Sequence, residues 1–234
     1  MQVQTVRGDT AEHDATLAMT RIVLRPLGSG LPLGFFGFGV GILLATALQL
    51  GYIPASEQQH VAIVGLAFSA PLELLAAVFA LLSRDAGAAI AMGMFACFWA
   101  ATGIGWLMAP FGAPSVTTGL LDLMLATFLA GLAAITLLGK PMLFVFLVLE
   151  VFRMAATGLI SLGIQGPYPL ISDVTGILLV LASIYGGLAF LFEDVRQREL
   201  LPVFRRGQAR KALEGSIEGQ LERIEHEAGV RQQL

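Results

Sequence analysis

Leu31–Leu50, LPLGFFGFGVGILLATALQL, is twenty residues without a charge. As a helix it reaches about 30 Å, the thickness of the hydrocarbon core of a bilayer. A helix packed on the surface of a water-soluble domain keeps a polar face over such a length. Here only Thr46 and Gln49 break the apolar run, both near its end. Gly34, Gly37, Gly39 and Gly41 crowd its first half. Gly37 and Gly41 form a small-x-x-x-small pair, a surface that lets another backbone approach closely. The stretch reads as a first membrane span, and as one that packs tightly.

Five similar stretches follow at His60–Leu82, Ala86–Met108, Val116–Leu138, Met142–Leu162 and Ile171–Phe192, separated by short turns. Only 13% of the 234 residues are charged, about half the share in soluble domains. No ten-residue alternation of the kind that builds membrane β-barrels is present. The expectation is an all-α integral membrane protein with six transmembrane helices. Residues 1–30 form an N-terminal tail, 31–192 the membrane domain, and 193–234 a basic segment followed by an amphipathic helix. Ser172 and Asp173 are expected to cap the sixth helix. Residues 1–30 begin with a mixed polar sequence that lacks the apolar core of a signal peptide.

The basic residues set an orientation. Arg7, Arg21 and Arg25 precede the first span, Arg84 lies between the second and third, and Lys140 between the fourth and fifth. Eight more follow the sixth, and the turns after the first, third and fifth spans hold none. The positive-inside rule therefore places both termini in the cytoplasm and the protein in the cell (inner) membrane. The segment around Arg196–Lys211 is expected to attract anionic lipid, with no nucleic-acid partner implied. Leu213, Ile217, Leu221 and Ile224 recur at helical spacing, which fits a short cytoplasmic amphipathic helix.

Charges inside a span are costly and face protein or water. Glu150 and Arg153, three residues apart, share a helix face and can pair as a clamp or line a substrate path. Glu73 stands alone in the second span, and desolvation favours the neutral form of a carboxyl there. It is a candidate for a proton or substrate path, or for polar glue between helices. Asp122, near the outer end of the fourth span, reads as a hydrated mouth residue or a near-cap. No catalytic constellation assembles. His13, His60 and His226 lie far apart, Cys97 is the single cysteine, and no nucleophile elbow, zinc-protease or phosphate-loop motif occurs. No metal or other cofactor is expected. A channel or transporter for a small solute is the reading by default, and a non-transporting structural or sensory protein is the other class. Phe35, Phe36 and Phe38 with Phe95, Phe98 and Trp99 provide material for a hydrophobic gate, and equally for ordinary packing.

Several short motifs resemble the acetate uptake transporter family of six-span proteins. That family opens its first span with N-P-[AG]-P-L-G-L and a glycine-phenylalanine-glycine step. This chain reads Ser29-Gly30-Leu31-Pro32-Leu33-Gly34-Phe35 and then Gly37-Phe38-Gly39. The Pro32, Leu33, Gly34 core and the Gly37 and Gly39 flanks are kept, while the leading Asn-Pro is not. Glu73 occupies the place of the family's glutamine. Phe95-Ala96-Cys97-Phe98-Trp99 matches the aromatic run of span three. Ser183-Ile184-Tyr185, Arg198 and Leu201-Pro202 match beyond and within span six, where Ala189-Phe190 replaces Gly-Glu. The resemblance covers residues 28–203. It implies a hexamer with a pore in each protomer and a constriction at Phe38, Phe95 and Leu149. The third-span residue there is a tyrosine in the family, so Phe95 makes the narrow point drier. It also implies passage of acetate or a similar monocarboxylate, with protons as a coupling partner. An ionised Glu73, Asp122 or Glu150 would repel such an anion. Ammonia or another neutral solute is the alternative cargo.

Overall fold

The computed structural model describes residues 28–83, 85–196, 198–207 and 210. Arg7, Arg21, Arg25, Arg84 and the expected amphipathic helix around Leu213–Ile224 lie outside the described residues. Six helices are long and apolar enough to cross a membrane. They are α1 (Leu31–Gln49), α2 (Ala55–Leu82), α3 (Ala86–Met108), α4 (Val116–Thr136), α5 (Pro141–Ser161) and α6 (Tyr168–Arg196). Among the described residues there is no strand. The all-helical multi-pass architecture read from the sequence is thus the one observed.

Start and stop signals explain the boundaries. Asp85 accepts from the Ala88 N–H (3.3 Å) and Ser115 from the Thr118 N–H (3.2 Å), capping α3 and α4. Pro32 and Pro141 stand in the first turns of α1 and α5, where a missing N–H costs no hydrogen bond. Gly51 and Gly163 follow α1 and α5 at φ +78° and +75°, the left-handed conformation that ends a helix without a Cβ penalty.

Two elements differ from the sequence reading. The second begins before His60, with a 3₁₀ turn at Ala55–Glu57, and is interrupted by a π turn at Gly65–Ser69. The Ala70 N–H reaches back to the Gly65 carbonyl, so the helix widens just before Pro71, whose ring would clash in a regular turn. The sixth helix is longer at both ends than Ile171–Phe192. Pro167 and Pro169 sit at its start, where proline is compatible with a first turn. Ser172 and Asp173 therefore lie inside the helix and do not cap it. At its far end Glu193, buried, pairs with Arg205, whose Nε donates to Oε2 at 2.8 Å.

The helices form a ring in chain order, with α6 closing against α1 and a lighter contact between α3 and α4. α1 is the most buried of the six, and its glycines are the reason. A Cβ on Gly34 would collide with Met92, one on Gly37 would stand 2.9 Å from Leu72, and one on Gly41 2.7 Å from the Ser69 hydroxyl. Leu43, Leu74, Leu120, Phe128 and Phe152 point outward, as lipid-facing residues do. Beyond α6 the chain turns back over the bundle. Tyr185 donates to the Pro202 carbonyl (2.8 Å), the Arg206 N–H to the Gly139 carbonyl (2.9 Å), and Val203 is fully buried.

Candidate functional site

α1, α3 and α5 each send a phenylalanine into the centre of the ring. Phe38 and Phe95 meet with ring centroids 5.1 Å apart, and Phe146 stands 4.9 Å from Phe38 and 6.0 Å from Phe95. Trp99 closes on Phe38 at 6.1 Å, and Phe35 joins Phe146 to Phe190 at 4.9 and 5.5 Å. All are buried. Apart from the tilted Phe38–Phe95 and Phe35–Phe190 pairs, these contacts are edge-on, an arrangement aromatic rings prefer. Leu149, one turn beyond Phe146 on α5, is half-buried against the same core. Phe36, by contrast, faces outward against Gly187 of α6.

Next to the aromatic cluster lies a band of buried polar groups. Glu73 is wholly buried, and neither of its carboxyl oxygens meets a protein donor. The indole Nε1 of Trp99 faces it without reaching hydrogen-bond geometry, and Ser69, one turn earlier, is also buried and unbonded. Glu150 is wholly buried with both oxygens unbonded. It lies within Coulombic reach of Glu73 and also of Arg153 and Asp122.

The ion pair open to Glu150 and Arg153 does not form, while Arg153 does link helices. Arg153 turns to the neighbouring helices, where its guanidinium donates to the Ser172 carbonyl of α6 (2.6 Å) and to Gln49 Oε1 at the end of α1 (3.4 Å). Ser172 Oγ donates to the same Gln49 oxygen at 3.2 Å. The physical reason lies on α6. Gly176 has no side chain, and any Cβ there would strike Arg153 and Thr46, so the guanidinium fits against bare backbone. Asp122 is likewise no hydrated mouth residue or cap. It is buried on the α4–α5 contact, beside Gly158 and Thr157.

Sequence reasoning missed Phe146, Gln49 and Ser172 as members of this region. For Phe146 a signal existed. Phe146, Glu150 and Arg153 recur at i, i+4 and i+7, so one inward stripe of α5 carries all three. Gln49 was visible only as a polar residue near a span end, and the Ser172 contribution is a backbone carbonyl, which no sequence pattern marks. The signature residues Pro32, Gly34 and Gly37 are buried, and a Cβ on Gly39 would stand 3.1 Å from Ser183. They serve the approach of α1 to its neighbours, while Leu33 is half-buried.

No protein-family model matches the chain, and no curated protein matches it in sequence. Among solved structures, that of the bacterial acetate channel SatP matches with a TM-score of 0.67 at 17% identity. The match covers 76% of this chain and 99% of SatP. The chain has the fold of SatP. It carries that architecture at full length and extends beyond it. The likeness is one of fold, in a chain that also carries the Pro32-Leu33-Gly34 and Gly37-Phe38-Gly39 steps.

Proposed function

We propose that the protein is a membrane passage for acetate or a similar small monocarboxylate. The observation that carries this reading is the full-length match to the fold of an acetate channel. The meeting of Phe38 and Phe95 at the centre of the helix ring adds to it. Phe38, Phe95 and Leu149 form the constriction in this reading, with Phe146 backing the first two. A carboxylate crossing an apolar ring needs either donors or a companion proton. Arg153, held by acceptor oxygens of Ser172 and Gln49, offers the donors in the outer half. Glu73 and Glu150, whose oxygens meet no protein donor, are placed to take up and release a proton. Transport is thus coupled to protons, the functional unit is a hexamer in the inner membrane, and each protomer holds its own path.

A second reading is favoured by the same carboxyls. Glu73, Asp122 and Glu150, buried within the bundle against the one arginine buried among the described residues, Arg153, suit a neutral or cationic cargo such as ammonia. Uptake of labelled acetate into proteoliposomes separates the readings, with and without an inward proton gradient and against empty vesicles. Protein-dependent acetate uptake that rises with the gradient is the expected result. Acetate entry no faster than into empty vesicles, with protein-dependent alkalinisation by ammonia, would transfer the assignment to the second cargo. Neither flux from folded protein would leave a structural or sensory role.

A further inference from the structure

An apolar cleft of about 400 Å³ opens between α5 and α6, lined by Met142, Phe146, Ala182, Tyr185 and Phe204, with Val145 and Leu181 at its rim. We infer that this cleft holds one acyl chain of an anionic phospholipid, whose headgroup rests on Arg206. Its volume falls within the range of roughly 300–1,000 Å³ typical of ligand clefts. Val145 and Leu181 are exposed, so the cleft opens on the outward face of the ring. Its α5 wall belongs to the first two turns of that helix, which is acyl-chain depth near one end of the bundle. The one polar group in the lining, the Tyr185 hydroxyl, is already bonded to the Pro202 carbonyl. A hydrocarbon tail brings no polar group that would need a partner in such a lining.

Charge complementarity fixes the headgroup. Phe204 closes the cleft, and two residues later Arg206 is exposed, its N–H held by the Gly139 carbonyl at 2.9 Å. Gly139 in turn precedes Pro141, which also lines the cleft. The backbone that carries Arg206 is thereby held beside the mouth, within side-chain reach of it. Basic residues at a membrane surface attract anionic headgroups, and arginine binds phosphate oxygens in pairs. The tail would lie against the outer side of Phe146, whose ring also contacts Phe35, Phe38 and Phe95.

Native mass spectrometry of the full-length protein tests the inference, with dioleoyl phosphatidylglycerol and dioleoyl phosphatidylcholine titrated separately. The parent should retain the anionic lipid preferentially. Arg206→Gln should reduce that retention about fivefold, towards the phosphatidylcholine level. Ala182→Trp, which fills the cleft, should abolish retention of both. Ile104→Trp, on the exposed face of α3, should leave it unchanged. Equal retention in the parent, Arg206→Gln and Ala182→Trp would reduce the lipid to an unspecific annulus and overturn the site. Unchanged retention with a smaller oligomer in Ala182→Trp would make the cleft a contact between copies instead. If Ala182→Trp does not fold, the surface change Arg206→Gln still decides the headgroup half.

Discussion

Glu73 is the residue on which the proposed coupling turns. It is fully buried on α2, beside Trp99 and within Coulombic reach of Glu150. Replacing it by glutamine keeps the volume and removes the exchangeable proton. In Glu73→Gln, acetate uptake into proteoliposomes should lose its response to an inward proton gradient, while melting temperature and elution volume stay those of the parent. Gradient-driven uptake at the parental rate would remove Glu73 from the proton path. A second change addresses the constriction. Phe95→Tyr adds one hydroxyl to a ring already in contact with Phe38 and Phe146. It supplies a donor to a passing carboxylate, and acetate flux should rise severalfold. Unaltered flux through folded Phe95→Tyr would place the narrow point elsewhere. Both residues were legible in the sequence, Glu73 because a charge in an apolar stretch stands out and Phe95 because it opens an aromatic run. Their surroundings were not. The i, i+3 spacing of Glu150 and Arg153 allowed a pair. The decisive fact is a glycine on another helix, Gly176, which draws the guanidinium away to Ser172 and Gln49.

At the scale of the helix, α1 shows why glycine position matters more than glycine content. A Cβ on Gly41 would meet Trp99 at 2.6 Å and Ser69 at 2.7 Å, whereas one on Gly131 of α4 meets nothing within 4 Å. Overpacking of a tight contact costs about 1–3 kcal/mol. An alanine in open space on a helix gains up to about 1 kcal/mol over glycine. Gly41→Ala should therefore lower the melting temperature of the detergent-solubilised protein and Gly131→Ala should not. Equal melting of the two variants would contradict the packing described for α1. The sequence marked this face because four glycines fall within one span, and it marked the six spans because each is uniformly apolar over bilayer length. It did not mark the π turn at Gly65–Ser69. Hydropathy carries no trace of a one-residue widening, and Pro71 inside the apolar run says only that the helix is disturbed there. The extra turns of α6 were hidden for a related reason. Glu193 counts as charged and therefore external, yet its pairing with Arg205 lets the helix run on to Arg196.

For the molecule as a whole, contacts between connecting segments divide into two sets at opposite ends of the bundle. One end gathers the ion pair of Lys140 with Asp85, that of Arg205 with Glu193, and the bond from Ser29 N–H to Asp194 at 3.3 Å. The other gathers Gln58, which donates to the Ala109 carbonyl (2.7 Å), and the bond from Ser115 N–H to the Ser161 carbonyl (2.8 Å). Every described basic residue except Arg153 belongs to the first set of segments, as the charge pattern required. If all six helices cross, an even number of spans returns the chain to the side from which it started, and we propose that the two termini share a compartment. From the excess of arginine and lysine at that end, we further propose that it faces the cytoplasm. Reporter fusions check both steps. Green fluorescent protein at either terminus should fluoresce in cells, and alkaline phosphatase at either terminus should be inactive, while phosphatase inserted at Gly112, in the loop after α3, should be active. Opposite results at the two termini would mean that one of the six helices does not cross. Matching but inverted results would keep the six crossings and overturn the orientation, and Arg206 and its cleft would then face the outer leaflet.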